Sequence, residues 1–178
     1  QRVFLVHSFK SVEGFGGLVP CMLELNGNLQ RTRDFRGYNL KIYEGFGSTI
    51  QVPDMVHSDV DFRDLRVTGG FVQAETNGGG AVSLGVECRL DSPVERDFAV
   101  SWRLVDEWGH SLASTDAVLV NERHEPTSLW SRAGEGCTFA IMALPLGLPP
   151  LSYNVEIQLY DRDSGAVLDV LDNAGAPL

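Results

Sequence analysis

Two segments in the last third of the chain alternate apolar and polar residues with a period of two. The apolar residues occupy every second position: Phe98, Val100, Trp102 and Leu104 in the first segment, and Tyr153, Val155, Ile157 and Leu159 in the second. Each segment runs into an acidic turn that is closed by a glycine, Gly109 or Gly165. This pattern is typical of half-buried antiparallel strands joined as β-hairpins.

Further strand candidates recur from residue 60 to the end of the chain, at intervals of roughly ten residues. They span residues 62–73, 81–90, 98–105, 111–120, 136–144, 153–160 and 166–171. Short strands of this spacing, separated by turn residues and without a helical pattern among them, predict an Ig-like or jelly-roll-like antiparallel β-sandwich. The chain is therefore predicted to be mainly β, with the sandwich domain over residues 59–178.

The first 45 residues have a different pattern. They predict a strand, a brief helix and two more strands, over residues 3–7, 18–25, 29–36 and 38–43. The first strand is a continuous apolar run of the kind found in parallel sheets, and Asn26-Gly27 supplies a glycine C-cap for the helix. We interpret residues 1–45 as a small α/β segment, either the tail of a truncated α/β domain or a small cap on the sandwich. Glycine and proline in residues 46–58 predict a connector.

The charge is distributed unevenly along the chain. Residues 1–45 hold six Lys and Arg against four acids, whereas the rest hold eight Arg against twenty acids, for a net charge of −10. An acidic sandwich repels phosphate backbones, so we predict no nucleic-acid partner. The longest apolar segment, residues 139–151, contains three prolines and a glycine and is unsuited to a membrane-spanning helix. The chain itself is predicted to be soluble.

Three cysteines, Cys21, Cys88 and Cys137, are too widely spaced for a metal motif. Cys88 and Cys137 each belong to an alternating apolar run, and both are predicted to point inward as small hydrophobic residues. Two buried free thiols are the favoured interpretation. A disulfide between them is the alternative in an oxidising compartment.

No nucleophile elbow, phosphate loop or zinc-binding helix motif occurs in the sequence. We therefore predict no catalytic residue and no cofactor. Asp161 with Asp163, and Asp59 with Asp61, are weak candidates for calcium ligands, but neither cluster has the ligand register of an EF-hand loop. Plain turns and solvated carboxylates are the favoured interpretation, so no metal site is predicted.

The aromatic residues suggest a binding surface. Trp108 lies inside the turn that follows the strand of Trp102, and it is therefore predicted to be exposed. A tryptophan in such a turn either stacks on the face of a sugar or covers the end of the sandwich. Together with Trp130 and Tyr153 it forms a candidate glycan platform, with Asp106 and His110 as polar companions.

Several motifs follow one another in a recognisable order. They are LRVTGGF at 65–71, VSLGVECRL at 82–90, DFAVSWRLVDEWG at 97–109, PTSLW at 126–130 and LPPLSYNVEIQLYD at 148–161. The series resembles the C-terminal extracytoplasmic sandwich of bacterial polytopic glycosyltransferase-like membrane proteins, which are relatives of the lipid-phosphate-sugar mannosyltransferases. The resemblance covers nearly the whole chain. The sequence departs from it at Ser152, where the family has a glycine.

The resemblance implies a non-catalytic accessory domain outside the cytoplasm, attached to the membrane through its parent protein. Such a domain shields or positions a glycan or lipid-linked sugar, and its partners are that substrate and the membrane portion of the parent chain. The catalytic acids of the family lie in membrane-proximal loops, so no catalytic residue is transferred to this sequence. Two alternatives remain open: an autonomous carbohydrate-binding module, and a structural adhesion or assembly domain without a ligand.

Overall fold

The computed structural model describes residues 2–8, 23, 26–35, 38–45, 53–74, 80–130, 134–172 and 176–177. Ten strands in these residues form three antiparallel sheets. They are β1 (Arg2–Ser8), β2 (Asn28–Phe35), β3 (Tyr38–Glu44), β4 (Val56–Asp61), β5 (Leu65–Ala74), β6 (Ala81–Leu90), β7 (Phe98–Val105), β8 (Ser111–Val118), β9 (Glu135–Ala143) and β10 (Asn154–Asp161). A short 3-10 helix spans Thr127–Leu129. No helix in this part of the chain has the length and apolarity needed to cross a membrane.

The first three strands form a sheet of their own in the order β1-β3-β2. The predicted hairpin of β2 and β3 is confirmed, but the predicted parallel pairing of β1 is wrong, because β1 runs antiparallel to β3 from Arg2↔Glu44 to Ser8↔Tyr38. A continuous apolar run indicates burial and does not determine strand direction. Most of the predicted helix lies outside the described residues. At its end the Gly27 N–H donates to the Leu23 carbonyl oxygen at 2.9 Å.

The remaining seven strands form two sheets, β4-β5-β6-β9 and β10-β7-β8. The predicted antiparallel β-rich fold is confirmed, and strands β6 and β7 have the predicted bounds. The inner faces of both sheets contribute to one hydrophobic core, whose fully buried members include Leu84, Phe98, Trp102 and Leu159. These side chains stabilise the sandwich by removing apolar surface from water.

Two predictions for the sandwich differ from the structure by more than three residues. Strand β4 begins at Val56, inside the predicted connector. The predicted strand at 166–171 makes only isolated bridges, Tyr160↔Val167 and Leu171↔Pro177. After pairing briefly with β10, this segment crosses to the other sheet, where the Leu171 N–H donates to the Asp61 carbonyl oxygen at 2.8 Å. It therefore covers part of one side of the sandwich without forming a strand.

The two sandwich cysteines lie on opposite faces of their sheet. Cys88 is buried in the core and pairs with Gly136 across the strands, whereas the half-buried Cys137 pairs with Glu87. No disulfide joins Cys88 to Cys137, and the predicted inward orientation of Cys137 is wrong. The inward residues of β9 are Gly136, Thr138, Ala140 and Met142, and a side chain at Gly136 would collide with the ring of Trp130. Burial raises the pKa of the Cys88 thiol well above its ordinary value.

The sandwich has two distinct ends. At one end, which we call the Thr127 end, the Thr127 hydroxyl accepts the Phe98 N–H and donates to the Arg96 carbonyl oxygen, both at 2.9 Å. Arg96 also forms an ion pair with Asp64, which connects the two sheets. The opposite end, which we call the hairpin end, contains the turn at residues 106–110 and the first residue of β10.

Candidate functional site

The turn between β7 and β8 is held by one carboxylate. Asp106 Oδ1 accepts hydrogen bonds from the backbone N–H groups of Trp108 at 3.0 Å and His110 at 2.8 Å. Asp106 Oδ2 lies 3.0 Å from His110 Nδ1. Gly109 has φ +83°, a conformation that favours glycine. An aspartate that bonds to the backbone ahead of it fixes a turn, so residues 106–110 have a defined conformation.

The electrostatics of the turn follow from these contacts. Partial burial by itself would raise the pKa of Asp106, since desolvation disfavours the charged carboxylate. The hydrogen bonds from His110 and Trp108 outweigh that effect and place the pKa of Asp106 below its ordinary value. The side chain of Asp106 is only 13% exposed. It therefore acts as an anionic anchor of the turn, and its role as a polar companion in a glycan site stays a prediction.

Trp108 is 68% exposed, in agreement with the exposure predicted for a tryptophan in the turn. The His110 side chain is 75% exposed. Its ring centroid lies 6.5 Å from that of Trp108 at an interplanar angle of 38°. The two rings therefore form a tilted pair on the surface of the hairpin end. An aromatic face in this position is available for stacking against a flat apolar surface.

Tyr153 lies at the same end as Trp108. It precedes Asn154, which pairs with Val105 at the end of β7. Its ring packs against the core, and its hydroxyl donates to the Pro149 carbonyl oxygen at 2.8 Å. Tyr153 therefore lies near the hairpin turn, but its hydroxyl proton is already engaged in a hydrogen bond within the chain.

Trp130 lies at the opposite end, and the predicted platform of three aromatic residues is wrong in this respect. Trp130 is 4% exposed and donates its indole N–H to the Glu125 carbonyl oxygen at 2.8 Å. It directly follows the 3-10 helix, whose Thr127 binds Phe98 at the start of β7. The length of β7 separates that start from the hairpin turn by roughly 23 Å at the usual rise per residue.

Glu107 is a polar residue of the turn that sequence reasoning overlooked. It lies between the anchoring Asp106 and the exposed Trp108, and it is itself exposed. Because both oxygens of Asp106 already make contacts within the turn, Glu107 is the better placed acceptor for hydroxyl groups of a ligand. The sequence indicates Glu107 as a candidate by its position in the turn, between an aspartate and a tryptophan.

The weak calcium candidates at the end of β10 hold their own turn. Asp161 Oδ1 accepts hydrogen bonds from the Ser164 N–H at 2.9 Å, the Ser164 hydroxyl at 2.8 Å and the Asp163 N–H at 3.1 Å. The bonds from Ser164 are the main reason that the pKa of Asp161 is lowered. Asp161 Oδ1 thus holds its own turn, while Oδ2 lies 3.9 Å from the Arg96 guanidinium.

The other candidate pair belongs to an ion-pair cluster. Asp59 and Asp61 both lie 3.2 Å from the guanidinium of Arg66, and Asp61 also accepts the Arg63 N–H at 2.8 Å. Within the described part of the chain, no group of three or more His, Cys, Asp or Glu is placed to hold a metal ion. The arrangement accounts for these carboxylates as partners of Arg66 and of the backbone.

The chain matches no family model, and no curated protein sequence matches it. A solved structure similar to part of it is described as the structure of a beta-glucuronidase from glycoside hydrolase family 2. The sequence identity is 12% and the TM-score 0.40, over 57% of this chain and 11% of that chain. A likeness this weak does not indicate an activity for this chain.

Proposed function

We propose that this chain is a non-catalytic sugar-binding module whose ligand stacks on Trp108. The observation that carries the proposal is the 68% exposure of Trp108 on a turn held by the Asp106 carboxylate. A large aromatic side chain on a fixed turn loses little conformational freedom when a ligand binds, which favours affinity. An aromatic ring also supplies the apolar face that the C–H side of a sugar requires.

The neighbouring side chains have separate roles in this proposal. His110, whose Nδ1 faces Asp106, presents Nε2 to a sugar hydroxyl, and Glu107 accepts hydrogen bonds from hydroxyl groups. Asp106 is a positioning residue. The net charge of −10 favours neutral or cationic sugars over acidic ones, because the domain repels anions.

Two other functions stay predictions. The accessory role beside a membrane glycosyltransferase, with its extracytoplasmic location, comes from the resemblance in sequence motifs. In that role the same turn would hold the parent's glycan or lipid-linked sugar. A structural adhesion or assembly role requires no ligand at Trp108, and an absence of sugar binding would favour it.

A glycan array tests the proposal. We expect the purified chain to bind a set of neutral or amino sugars, with and without calcium, and Trp108→Ala to abolish that binding. Leu129→Ala is a matched control, because Leu129 is 65% exposed but lies at the Thr127 end. An array without specific binding, or binding that survives Trp108→Ala, would contradict the assignment.

A further inference from the structure

One edge of the β10-β7-β8 sheet is only partly paired. The last residues of β10 bond outward to the segment that follows: the Asp161 N–H donates to the Ala166 carbonyl oxygen at 2.8 Å, and the Leu159 carbonyl oxygen accepts the Leu168 N–H at 2.9 Å. Backbone groups alternate between the two sides of an antiparallel strand. The N–H and C=O groups of Val155 and Ile157 therefore also point away from β7. Among the described residues, none bonds to them on that side. We call residues 154–158, on this side of β10, the open edge.

The side chains beside the open edge are exposed even though they point inward. By register, Ile157 shares a face with the fully buried Trp102, and Val72 of β5 shares a face with the fully buried Leu84. Ile157 is nevertheless 40% exposed and Val72 56% exposed. Val56 of β4, which also faces inward by its pairing, is 73% exposed. The space between the sheets is thus open to solvent along this side at the hairpin end.

The other half of this side of the sandwich is covered by the chain's own segment after β10. Residues 166–168 lie against β10 through one isolated bridge and two backbone hydrogen bonds, and the chain then reaches Asp61 of β4 through Leu171. This segment leaves β10 before it reaches residues 154–158. An unpaired strand edge with apolar side chains beside it is a template for a further strand.

We propose that the open edge binds an extended segment of a partner protein as an additional strand. The segment would alternate aliphatic and basic residues. Its aliphatic side chains would enter the space beside Ile157 and Val72, and a Lys or Arg would lie opposite Glu156 on the outer face. The Glu156 side chain is 49% exposed and already forms an ion pair with Arg103 at 3.0 Å, so a basic residue of the segment would share this carboxylate. The net charge of −10 gives the wider preference for a basic segment.

Charge argues against a second copy of this chain as the occupant. Antiparallel pairing of two open edges over residues 154–158 places the two Glu156 side chains opposite each other, and the ion pair of each with its own Arg103 offsets only part of their repulsion. Like charges directly opposite one another destabilise a sheet. Each copy also carries a net charge of −10, which adds repulsion at longer range.

The test uses a peptide of alternating valine and lysine with blocked ends, added to the full chain labelled with ¹⁵N. We expect the amide protons of Val155 and Ile157 to exchange about tenfold more slowly at nine-tenths saturation, because only the free fraction exchanges. The amides of Glu156 and Gln158, which face β7, serve as internal controls and should not change. A peptide that alternates valine and glutamate should leave all four amides unaffected.

Substitutions in the open edge test its backbone donor, its apolar side chain and its charge separately. Ile157→Pro removes an outward N–H but no bond to β7, a position where an edge strand accepts proline, and should abolish binding. Ile157→Ser, which keeps the backbone donor, should weaken it, while the neighbouring Gln158→Ser should not. Glu156→Gln should weaken binding about two- to fivefold.

Three results would overturn the proposal. The first is an absence of protection at millimolar peptide, and the second is equal protection by the acidic peptide. The third is protection of Val155 and Ile157 that rises with protein concentration alone, which would identify a second copy as the occupant.

Discussion

Trp130 and Trp108 offer a paired test of which aromatic side chains hold the sandwich together. Trp130 is 4% exposed and donates its indole N–H to Glu125, whereas Trp108 is 68% exposed. We expect Trp130→Ala to lower the free energy of unfolding by about 3–5 kcal/mol, the range for a large aromatic removed from a core. The Glu125 carbonyl oxygen keeps the Asn121 N–H as a donor at 3.1 Å, so the lost indole hydrogen bond adds little to this cost.

The corresponding cost for Trp108→Ala follows from its exposure. About a third of its surface is buried, or about 80 Å² of the roughly 250 Å² that a large aromatic buries at most. At about 25 cal/mol per Å² this gives an upper limit of about 2 kcal/mol. Alanine retains part of the contact, so the expected loss is smaller than this limit.

Urea denaturation followed by far-UV circular dichroism measures both changes without relying on tryptophan fluorescence. The dependence of the free energy on urea should be the same for both variants and for the parent, since the surface exposed on unfolding barely changes. If Trp108→Ala costs as much as Trp130→Ala, the turn tryptophan is part of the core in solution. The stacking surface that we propose would then not exist.

Three further predictions concern the fold and the turn. Gly85→Ala should destabilise the protein by about 1–3 kcal/mol in urea, because the added methyl group collides with the Phe71 ring; an unchanged midpoint would contradict this packing. Thr127→Val should cost about 1–3 kcal/mol, because it leaves buried backbone groups unpaired, and Thr127→Ser should restore most of it. The pKa of Asp106 is lowered in the folded state, so its stabilisation of the turn is present above about pH 4 and disappears as the pH falls through the folded value. The Trp108 amide should then exchange faster than its intrinsic pH dependence predicts, whereas Asp106→Asn should show no such transition.

The strands that the sequence predicts well are those in which local pattern and tertiary burial agree. β6 and β7 alternate between turn residues, and their bounds coincide with the prediction. β4 was overlooked because an edge strand with four exposed residues has no apolar alternation, and its conformation depends on pairing with β5. The segment at 166–171 has apolar residues at strand spacing, but it crosses between the sheets and pairs only at single residues.

The residues of the candidate site also differ in how well the sequence predicts their burial and orientation. The exposure of Trp108 is predictable because Asp106 and Gly109 define a turn around it within four residues. The burial of Trp130 is not predictable from its surroundings in sequence, because it depends on the space that Gly136 leaves in β9. The orientation of Cys137 depends on the same contact. A shift of one residue in the assigned face reverses every side chain of the strand.

The exposed apolar residues are concentrated at one end of the sandwich. Of the large exposed hydrophobic residues in the described part of the chain, Leu129 and Val167 lie towards the Thr127 end. The others lie towards the hairpin end: Val56, Val72, Trp108, Leu146, Leu151 and Ile157. The Thr127 end instead satisfies its polar groups internally, through the Thr127 hydroxyl and the carboxylate of Asp161. Because these contacts hold the strands together far from the hairpin, substitutions at Trp108 and at Ile157 should alter binding while the core stays intact. Loss of sugar binding and loss of strand addition can therefore be measured separately in one folded protein.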